Sequence, residues 1–130
     1  MNSRILYIDN DIASYILVSE LLLDCNVEII HSRCGLCGIE LFRQIPSIEM
    51  VITELKLPSI DGFEVLKEIR KTNLNIPIIA QTANIVNNMK YTCLNAGFSE
   101  FIPKPIDLDV FATTISKYAN IVHEPEFEKI

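Results

Sequence analysis

The sequence lacks a long apolar run, and this absence excludes membrane-spanning proteins as a class. No stretch approaches the roughly 20 uninterrupted apolar residues that a helix needs to cross a bilayer. The opening residues, MNSRILYIDND, reach charged side chains too early for a secretory signal peptide. We therefore expect a soluble, cytoplasmic protein with no membrane partner.

Positive charge is also scarce in this chain. Its 130 residues include 11 Lys and Arg against 17 Asp and Glu, which gives a formal net charge of −6. A surface of this sign repels the phosphates of nucleic acids and of anionic membranes. We therefore predict no direct nucleic-acid partner, and protein partners become the favoured class.

Motifs for nucleotide and metal binding are missing or incomplete. None of the four glycines lies in GxGxxG or GxxxxGK, which disfavours a flavodoxin-like nucleotide-binding enzyme. The pair 34-CGLC-37 would make a redox dithiol or half of a zinc site, but no second CxxC or HxxxH exists, and Cys25, Cys93 and His31 are scattered. We interpret Cys34 and Cys37 as small residues in a turn that leads into a helix.

Five short apolar runs predict buried parallel strands, because they are too continuous for half-exposed antiparallel strands. They cover residues 5–8, 27–30, 50–52, 76–80 and 101–102. Apolar residues at helical spacing follow each run, beginning with Ile12, Tyr15, Ile16, Leu22 and Leu23 and ending with Val110, Phe111, Ile115 and Tyr118. Asp107 is placed to cap the last of these helices. The alternation predicts one α/β domain, a parallel sheet with helices on both faces.

Polar residues follow four of the five predicted strands. They are Asp9, Asn10 and Asp11 after the first strand, Glu54 after the third, Thr82 after the fourth and Lys104 after the fifth. Sites in open α/β sheets form at the carboxyl ends of the strands, so we expect these groups to converge. Each residue taken alone is more typical of a helix cap or a turn, whereas all of them at matching strand ends indicate a functional site.

These residue types suit a phosphate and a hard cation. Mg²⁺ prefers oxygen ligands, which Asp9 and the acid of the third strand could supply. A lysine could neutralise a phosphoryl oxygen or pair with a carboxylate, and a threonine hydroxyl could donate a hydrogen bond.

Over residues 4 to about 119, the sequence resembles the receiver domain of two-component response regulators. The matching segments are ILYIDND, ITELKLPSIDGFEVL, IPIIAQTAN and AGFSEFIPKPI, and the last two are similar to receivers of hybrid histidine kinases. The resemblance implies a flavodoxin-like, doubly wound, five-stranded parallel sheet of order 2-1-3-4-5 with five helices. It also implies phosphoryl transfer from a kinase histidine to an aspartate at the end of the third strand.

Particular residues take family roles through this resemblance. It implies that Thr82 is the switch hydroxyl, Phe101 the switch aromatic and Lys104 the pairing lysine. It also implies a cis peptide bond between Lys104 and Pro105, and a backbone carbonyl of Lys56 directed at a metal. The receiver would occupy residues 1–119, with 120–130 as a tail or an extension of the last helix.

Two positions depart from the family pattern. Glu54 stands where the phosphoacceptor aspartate is expected, and Asn10 replaces the second acid of the opening pair. The extra methylene displaces the carboxylate by more than about 1 Å, which can cost on the order of 10²-fold in an in-line transfer. Asn10 adds no charge, so we predict weak or absent Mg²⁺ binding by Asp9, Asn10, Glu54 and Lys56.

The leading interpretation is a pseudo-receiver, a binding module rather than an enzyme, with Glu54 as a permanent mimic of the phosphorylated state. Its expected partners are a histidine kinase, an output domain or another receiver, and a second copy of the chain in a homodimer is one such receiver. Residues of about 84–119 would form the binding surface. A working Mg²⁺-dependent phosphoacceptor is the alternative. Asp61 is then the nearest other acid, but we interpret it as a turn former before the third helix.

Overall fold

A computed structural model describes residues 3–85 and 88–118 of the chain, and ten regular elements alternate along it. The strands are β1 (Ser3–Ile8), β2 (Val27–Ser32), β3 (Ile48–Glu54), β4 (Ile78–Thr82) and β5 (Glu100–Pro103). The helices are α1 (Ile12–Leu21), α2 (Gly35–Gln44), α3 (Gly62–Arg70), α4 (Met89–Ala96) and α5 (Leu108–Tyr118). The predicted tail at 120–130 lies outside the described residues.

The five strands form one parallel sheet in the order β2-β1-β3-β4-β5. This confirms the fold that the resemblance implied. Because β1 lies between β2 and β3, the chain reverses its winding direction there, and the carboxyl ends of β1 and β3 flank the reversal point. A site at this edge is therefore built mainly from the residues that end β1 and β3.

Two apolar layers cover the two faces of the sheet, as a strand buried on both faces requires. One face packs under α2, α3 and α4, and its buried residues include Leu6, Ile8, Val51, Ile78 and Ala80. The other face packs under α1 and α5, and its buried residues include Ile5, Tyr7, Met50, Ile52 and Ile102. Alternate residues of β1 therefore belong to opposite layers, and Asp9 continues the row of Ile5 and Tyr7.

Side-chain caps start several helices. Asp11 caps α1 by accepting from the Ala13 N–H, and Asp61 caps α3 by accepting from the Glu64 N–H. Asp107 accepts from the Val110 N–H at 3.0 Å, which confirms the predicted cap of α5. Cys34 caps α2, which agrees with its interpretation as part of a turn into a helix.

The apolar stripe predicted for α1 is wrong in part. Ile12, Ile16 and Leu23 are exposed, and the buried positions of this segment are Ser14, Val18 and Leu22. Ser14 enters the buried face because its hydroxyl donates to Asp11 Oδ2 at 2.8 Å, which satisfies the polar atom. The helix α1 therefore buries a different face from the one that its largest side chains suggested.

Other boundaries also differ from the sequence prediction. β4 begins at Ile78 rather than at residue 76, because Pro77 has no N–H to donate to a neighbouring strand. Ile85 precedes α4 and is exposed, and Val110 of α5 is exposed as well. Within residues 3–85 and 88–118, no helix has the length and apolar character that a membrane crossing requires.

Candidate functional site

Three charged side chains from distant parts of the chain meet at the carboxyl edge of the sheet. Lys104 Nζ lies 2.7 Å from Asp9 Oδ2 and 2.9 Å from Glu54 Oε1. The side chains of Asp9, Glu54 and Lys104 are 3%, 11% and 13% exposed. One ammonium group therefore pairs with two carboxylates in a largely dry setting, where the attraction is strong, and the cluster keeps one unbalanced negative charge.

Strand pairing explains why these residues meet. Ile8 and Thr53 are register partners in β1 and β3, so Asp9 and Glu54 end adjacent strands at the same level. Lys104 follows β5, two strands away from β3, and its backbone N–H donates to the Thr82 carbonyl at 2.8 Å. Its long side chain reaches past β4 to the two acids, and the Lys104–Pro105 bond is cis, as the resemblance implied.

The Glu54 carboxylate is held at both oxygens. Oε1 pairs with Lys104, and Oε2 accepts hydrogen bonds from the N–H groups of Leu55 at 2.8 Å and Lys56 at 3.3 Å. The longer glutamate side chain thus folds back over the start of the loop that follows its own strand. Charge-assisted hydrogen bonds of this kind fix the carboxylate in place.

Asp9 is held from several sides. Its Oδ1 accepts from the Asp11 N–H at 2.9 Å, and its Oδ2 accepts from Lys104 and from the Tyr7 hydroxyl at 3.3 Å. His31 Nε2 lies 3.0 Å from the Asp9 carbonyl oxygen. A buried carboxylate with these partners has its orientation fixed before any ligand arrives.

A buried polar pair supports Asp9, and sequence reasoning missed it. Gln81 Nε2 donates to the Tyr7 hydroxyl at 2.7 Å, and both residues are almost completely buried. Burial, together with the negative charge of Asp9, holds the pKa of Tyr7 well above its usual value. The sequence signal that could have indicated this pair is the presence of a polar residue in each of two apolar runs, Tyr7 in ILYI and Gln81 in IIAQ.

The electrostatic state of Lys104 follows from its partners. Burial acts to lower its pKa, but the hydrogen bonds and charges of Asp9 and Glu54 outweigh burial and raise the pKa above the usual lysine value. Lys104 is therefore firmly protonated at neutral pH.

Thr82 ends β4 at the carboxyl edge of the sheet, and Phe101 lies within the adjacent β5. Thr82 is buried, and its Oγ1 accepts from the Asn84 N–H at 3.1 Å. A cavity of about 670 Å³ is lined by Glu54, Lys56, Thr82 and Asn84, among others. Phe101 is half-buried against the layer under α2, α3 and α4, and Ala80 is its register partner.

The remaining predicted site residues are exposed or serve as helix caps. Asn10 and Lys56 are exposed. The carboxylate of Asp11 accepts from the Ser14 hydroxyl and the Ala13 N–H, and these bonds lower its pKa. Asp11 is thus occupied as a helix cap and does not replace the missing acid at Asn10. Asp61 also serves as a cap.

The arrangement fits a divalent cation poorly. Within the described residues, no group of three or more His, Cys, Asp and Glu side chains is placed to hold a metal ion. The two buried acids already share Lys104, and the adjacent position carries the uncharged Asn10. Mg²⁺ usually binds one or two carboxylates together with water and phosphate oxygens, and here Lys104 competes for both carboxylates.

Comparison with known sequences matches the chain to a described protein family. The profile of the family described as "Response regulator receiver domain" matches residues 5–116. The sensor histidine kinase RcsC of Salmonella typhimurium is 32% identical over 78 residues, which are 60% of this chain and 8% of that kinase. The matched part is therefore a small fraction of that relative.

Solved structures agree with the fold. The chemotaxis response regulator CheY4 of Vibrio cholerae has a TM-score of 0.82 at 20% identity, covering 92% of this chain and 100% of that chain. The receiver domain of sensor histidine kinase PA1611 from Pseudomonas aeruginosa has a TM-score of 0.80 at 20% identity, covering 91% and 98%. The PA1611 structure contains a magnesium ion in its active-site cleft.

Proposed function

The chain belongs to the response regulator receiver domain family, and we propose that it is a pseudo-receiver in which Glu54 acts as a permanent substitute for a phosphorylated aspartate. The observation that carries this proposal is the fixed position of the Glu54 carboxylate. It pairs with Lys104 and accepts from the N–H groups of Leu55 and Lys56. A negatively charged oxygen thus extends one methylene farther from the strand than an aspartate oxygen would, toward the position near Lys104 that a phosphoryl oxygen would take.

The same contacts oppose a phosphoacceptor role for Glu54. A nucleophilic oxygen must approach phosphorus in line, and a displacement of about 1 Å can cost on the order of 10²-fold. Both oxygens of Glu54 already have hydrogen-bonding partners. If the Glu54 carboxylate moved to attack a phosphorus atom, it would lose its contact with Lys104 and its hydrogen bonds from two backbone N–H groups. The observed position of the carboxylate is therefore favoured over an attacking position.

Roles for the surrounding residues complete the proposal. Asp9 holds Lys104, and Thr82 and Phe101 form the switch that responds to the charge on Glu54. Mg²⁺ binds weakly, because Asn10 contributes no charge and Lys104 already pairs with an oxygen of each acid. If the ion does bind, Asp9, Asn10, Glu54 and the Lys56 carbonyl would hold it, and it would neutralise phosphoryl oxygens.

The output of this module is a protein-binding face, which we assign to residues of about 84–119. Its described parts, in α4 and α5, expose large apolar side chains, namely Tyr91, Leu94, Leu108 and Val110. Such residues suit contact with a histidine kinase, an output domain or another receiver, including a second copy. Residues 1–119 form the receiver in this proposal, and it acts in the cytoplasm.

Intact-mass spectrometry with a small phosphoryl donor and Mg²⁺ tests the acceptor position. We expect Glu54→Asp to gain one phosphoryl group, and the wild type and the charge-free control Glu54→Gln to gain none. If Glu54→Asp stays unlabelled, the double variant Asn10→Asp/Glu54→Asp should restore labelling. Labelling of the wild type at Glu54 would establish a working phosphoacceptor instead, and failure of the double variant would contradict a receiver-type pocket.

Backbone amide spectra test the mimicry itself. We expect the amide shifts of Thr82 and Phe101 in the wild type to match those of phosphorylated Glu54→Asp. Glu54→Gln should match unphosphorylated Glu54→Asp, because both lack the extended negative charge. A wild-type spectrum that instead groups with the unphosphorylated variants would overturn the mimic while leaving the receiver fold intact.

A further inference from the structure

The two cysteines of 34-CGLC-37 lie together at the start of α2. Cys34 is the N-cap, with φ −143° and ψ 158°, and its Sγ accepts from the Cys37 N–H at 3.2 Å. The two thiols also share a hydrogen bond, which raises the pKa of Cys37. The helix start therefore holds both cysteines on one turn, with the Cys37 N–H against Cys34 Sγ, and both are free thiols.

The two thiols differ from Cys93 in their access to solvent. Cys37 is exposed and Cys34 is half-buried. Cys93 is fully buried, which places it out of reach of an oxidant in solution, and burial also raises its pKa to about 11. Small oxidants in solution can thus reach the exposed Cys37 more easily than the half-buried Cys34.

We propose that Cys34 and Cys37 form a reversible redox site that exchanges with low-molecular-weight disulfides such as oxidised glutathione. The Cys37 thiolate, after losing its proton to water, attacks one sulfur of the glutathione disulfide and releases one glutathione. Cys34 then loses its proton and attacks the Cys37 sulfur, which releases the second glutathione. The protein dithiol is oxidised to a disulfide, and one glutathione disulfide is reduced to two thiols.

This redox site adjoins the charged site at the strand ends. The Ser32 hydroxyl donates to the Cys34 carbonyl at 2.9 Å, and the Ser32 carbonyl accepts from the Asp9 N–H at 2.9 Å. Gly35 has no space for a Cβ, which would lie 2.7 Å from Ile60 of the loop between β3 and α3. A disulfide that tightens the first turn of α2 therefore acts on neighbours of both Asp9 and Glu54.

Equilibration of the native chain with oxidised and reduced glutathione tests this proposal. We expect the wild type to lose the mass of two hydrogen atoms, with peptide mapping placing the disulfide between Cys34 and Cys37. Cys34→Ser should instead keep a glutathione adduct on Cys37, because the resolving thiol is gone. Serine is a good N-cap, so this variant keeps the helix start intact.

Two results would overturn the redox site. One is a wild-type chain that keeps a glutathione adduct on Cys37 without closing the disulfide. The other is a native chain that stays reduced in a glutathione mixture that oxidises the same chain in urea. Neither result depends on whether Glu54 mimics phosphorylation, so the two proposals fail separately.

The amide resonances of Asp9 and Ile60 report the link to the charged site. On oxidation of the wild type we expect both to shift, whereas Cys37→Ser treated in the same way should show no change. Unchanged Asp9 and Ile60 resonances in the oxidised wild type would contradict the coupling.

Discussion

At the residue scale, Lys104 is the centre of the site because it is shared by two acids. Its Nζ contacts Asp9 Oδ2 and Glu54 Oε1, and all three side chains are mostly buried. A buried ion pair gives little net stability by itself, since desolvation offsets the attraction. Removing one partner is different, because the remaining charges stay buried without compensation.

The variant Lys104→Met should therefore lower the free energy of unfolding by about 3–5 kcal/mol, the cost typical of breaking a buried pair. Two carboxylates would then face each other across the ends of β1 and β3. Urea denaturation at neutral pH measures the change. Lys117→Met is the matched control, because Lys117 pairs with Glu100 on the surface, and its loss should be much smaller. Equal losses for the two variants would contradict the central role of Lys104.

At the element scale, the close approach of α3 to the end of β3 sets the position of Glu54. Gly62 begins α3, and its N–H donates to the Leu55 carbonyl at 2.8 Å. A Cβ at this position would lie 2.5 Å from the Glu54 carbonyl oxygen and 2.9 Å from Leu55 Cα. Both neighbours are backbone atoms, so they cannot yield by rotating a side chain.

We expect Gly62→Ala to destabilise the fold by about 1–3 kcal/mol, as overpacking commonly does. It should also shift the amide resonances of Glu54 and Leu55, because the helix must move away from the strand end. Urea denaturation and amide spectra measure the two effects. Asn95→Ala, an exposed change on α4, should leave both unchanged. A stable Gly62→Ala with unshifted resonances would show that this contact is not tight.

At the scale of the whole molecule, a buried polar network connects the core to the site. Tyr7 of β1 and Gln81 of β4 meet across the intervening β3, and Tyr7 continues to Asp9. Gln81 Oε1 is buried without a hydrogen-bond partner among the described residues. Networks of this kind make the folded state sensitive to the ionisation of their members.

The alkaline stability of the protein should reflect this network. In the unfolded chain tyrosine ionises near pH about 10, whereas burial holds Tyr7 protonated in the folded protein. A group whose pKa is higher in the folded protein than in the unfolded chain contributes its full stabilisation below the pKa of the unfolded chain. That stabilisation is lost as the pH rises above this value. The pKa of Lys104 is also raised, so Lys104 contributes in the same direction. We expect Tyr7→Phe to lose stability less steeply than the wild type between pH about 9 and 11, measured by urea denaturation. The exposed Tyr91→Phe should keep the wild-type slope, and equal slopes for Tyr7→Phe and the wild type would refute the prediction.

Much of this architecture could be predicted before the structure. The apolar runs marked all five strands, and Asp107 marked the start of α5, because burial on both faces and helix capping leave local patterns. The exposed Ile12 and Ile16 could not be predicted in this way. The helix α1 buries Ser14, whose hydroxyl donates to Asp11, and apolar spacing does not predict a polar residue on the buried face.

The sequence by itself determined the alternation of strands and helices, the acidic surface and the replacement of the acceptor aspartate by Glu54, because these depend on residue type and spacing. Only the tertiary structure decided which groups touch. Lys104 contacts Asp9 across 95 positions of sequence, and Gln81 contacts Tyr7 across 74. Such contacts follow from strand order and register, which are set by the packing of the whole sheet rather than by any local stretch of chain.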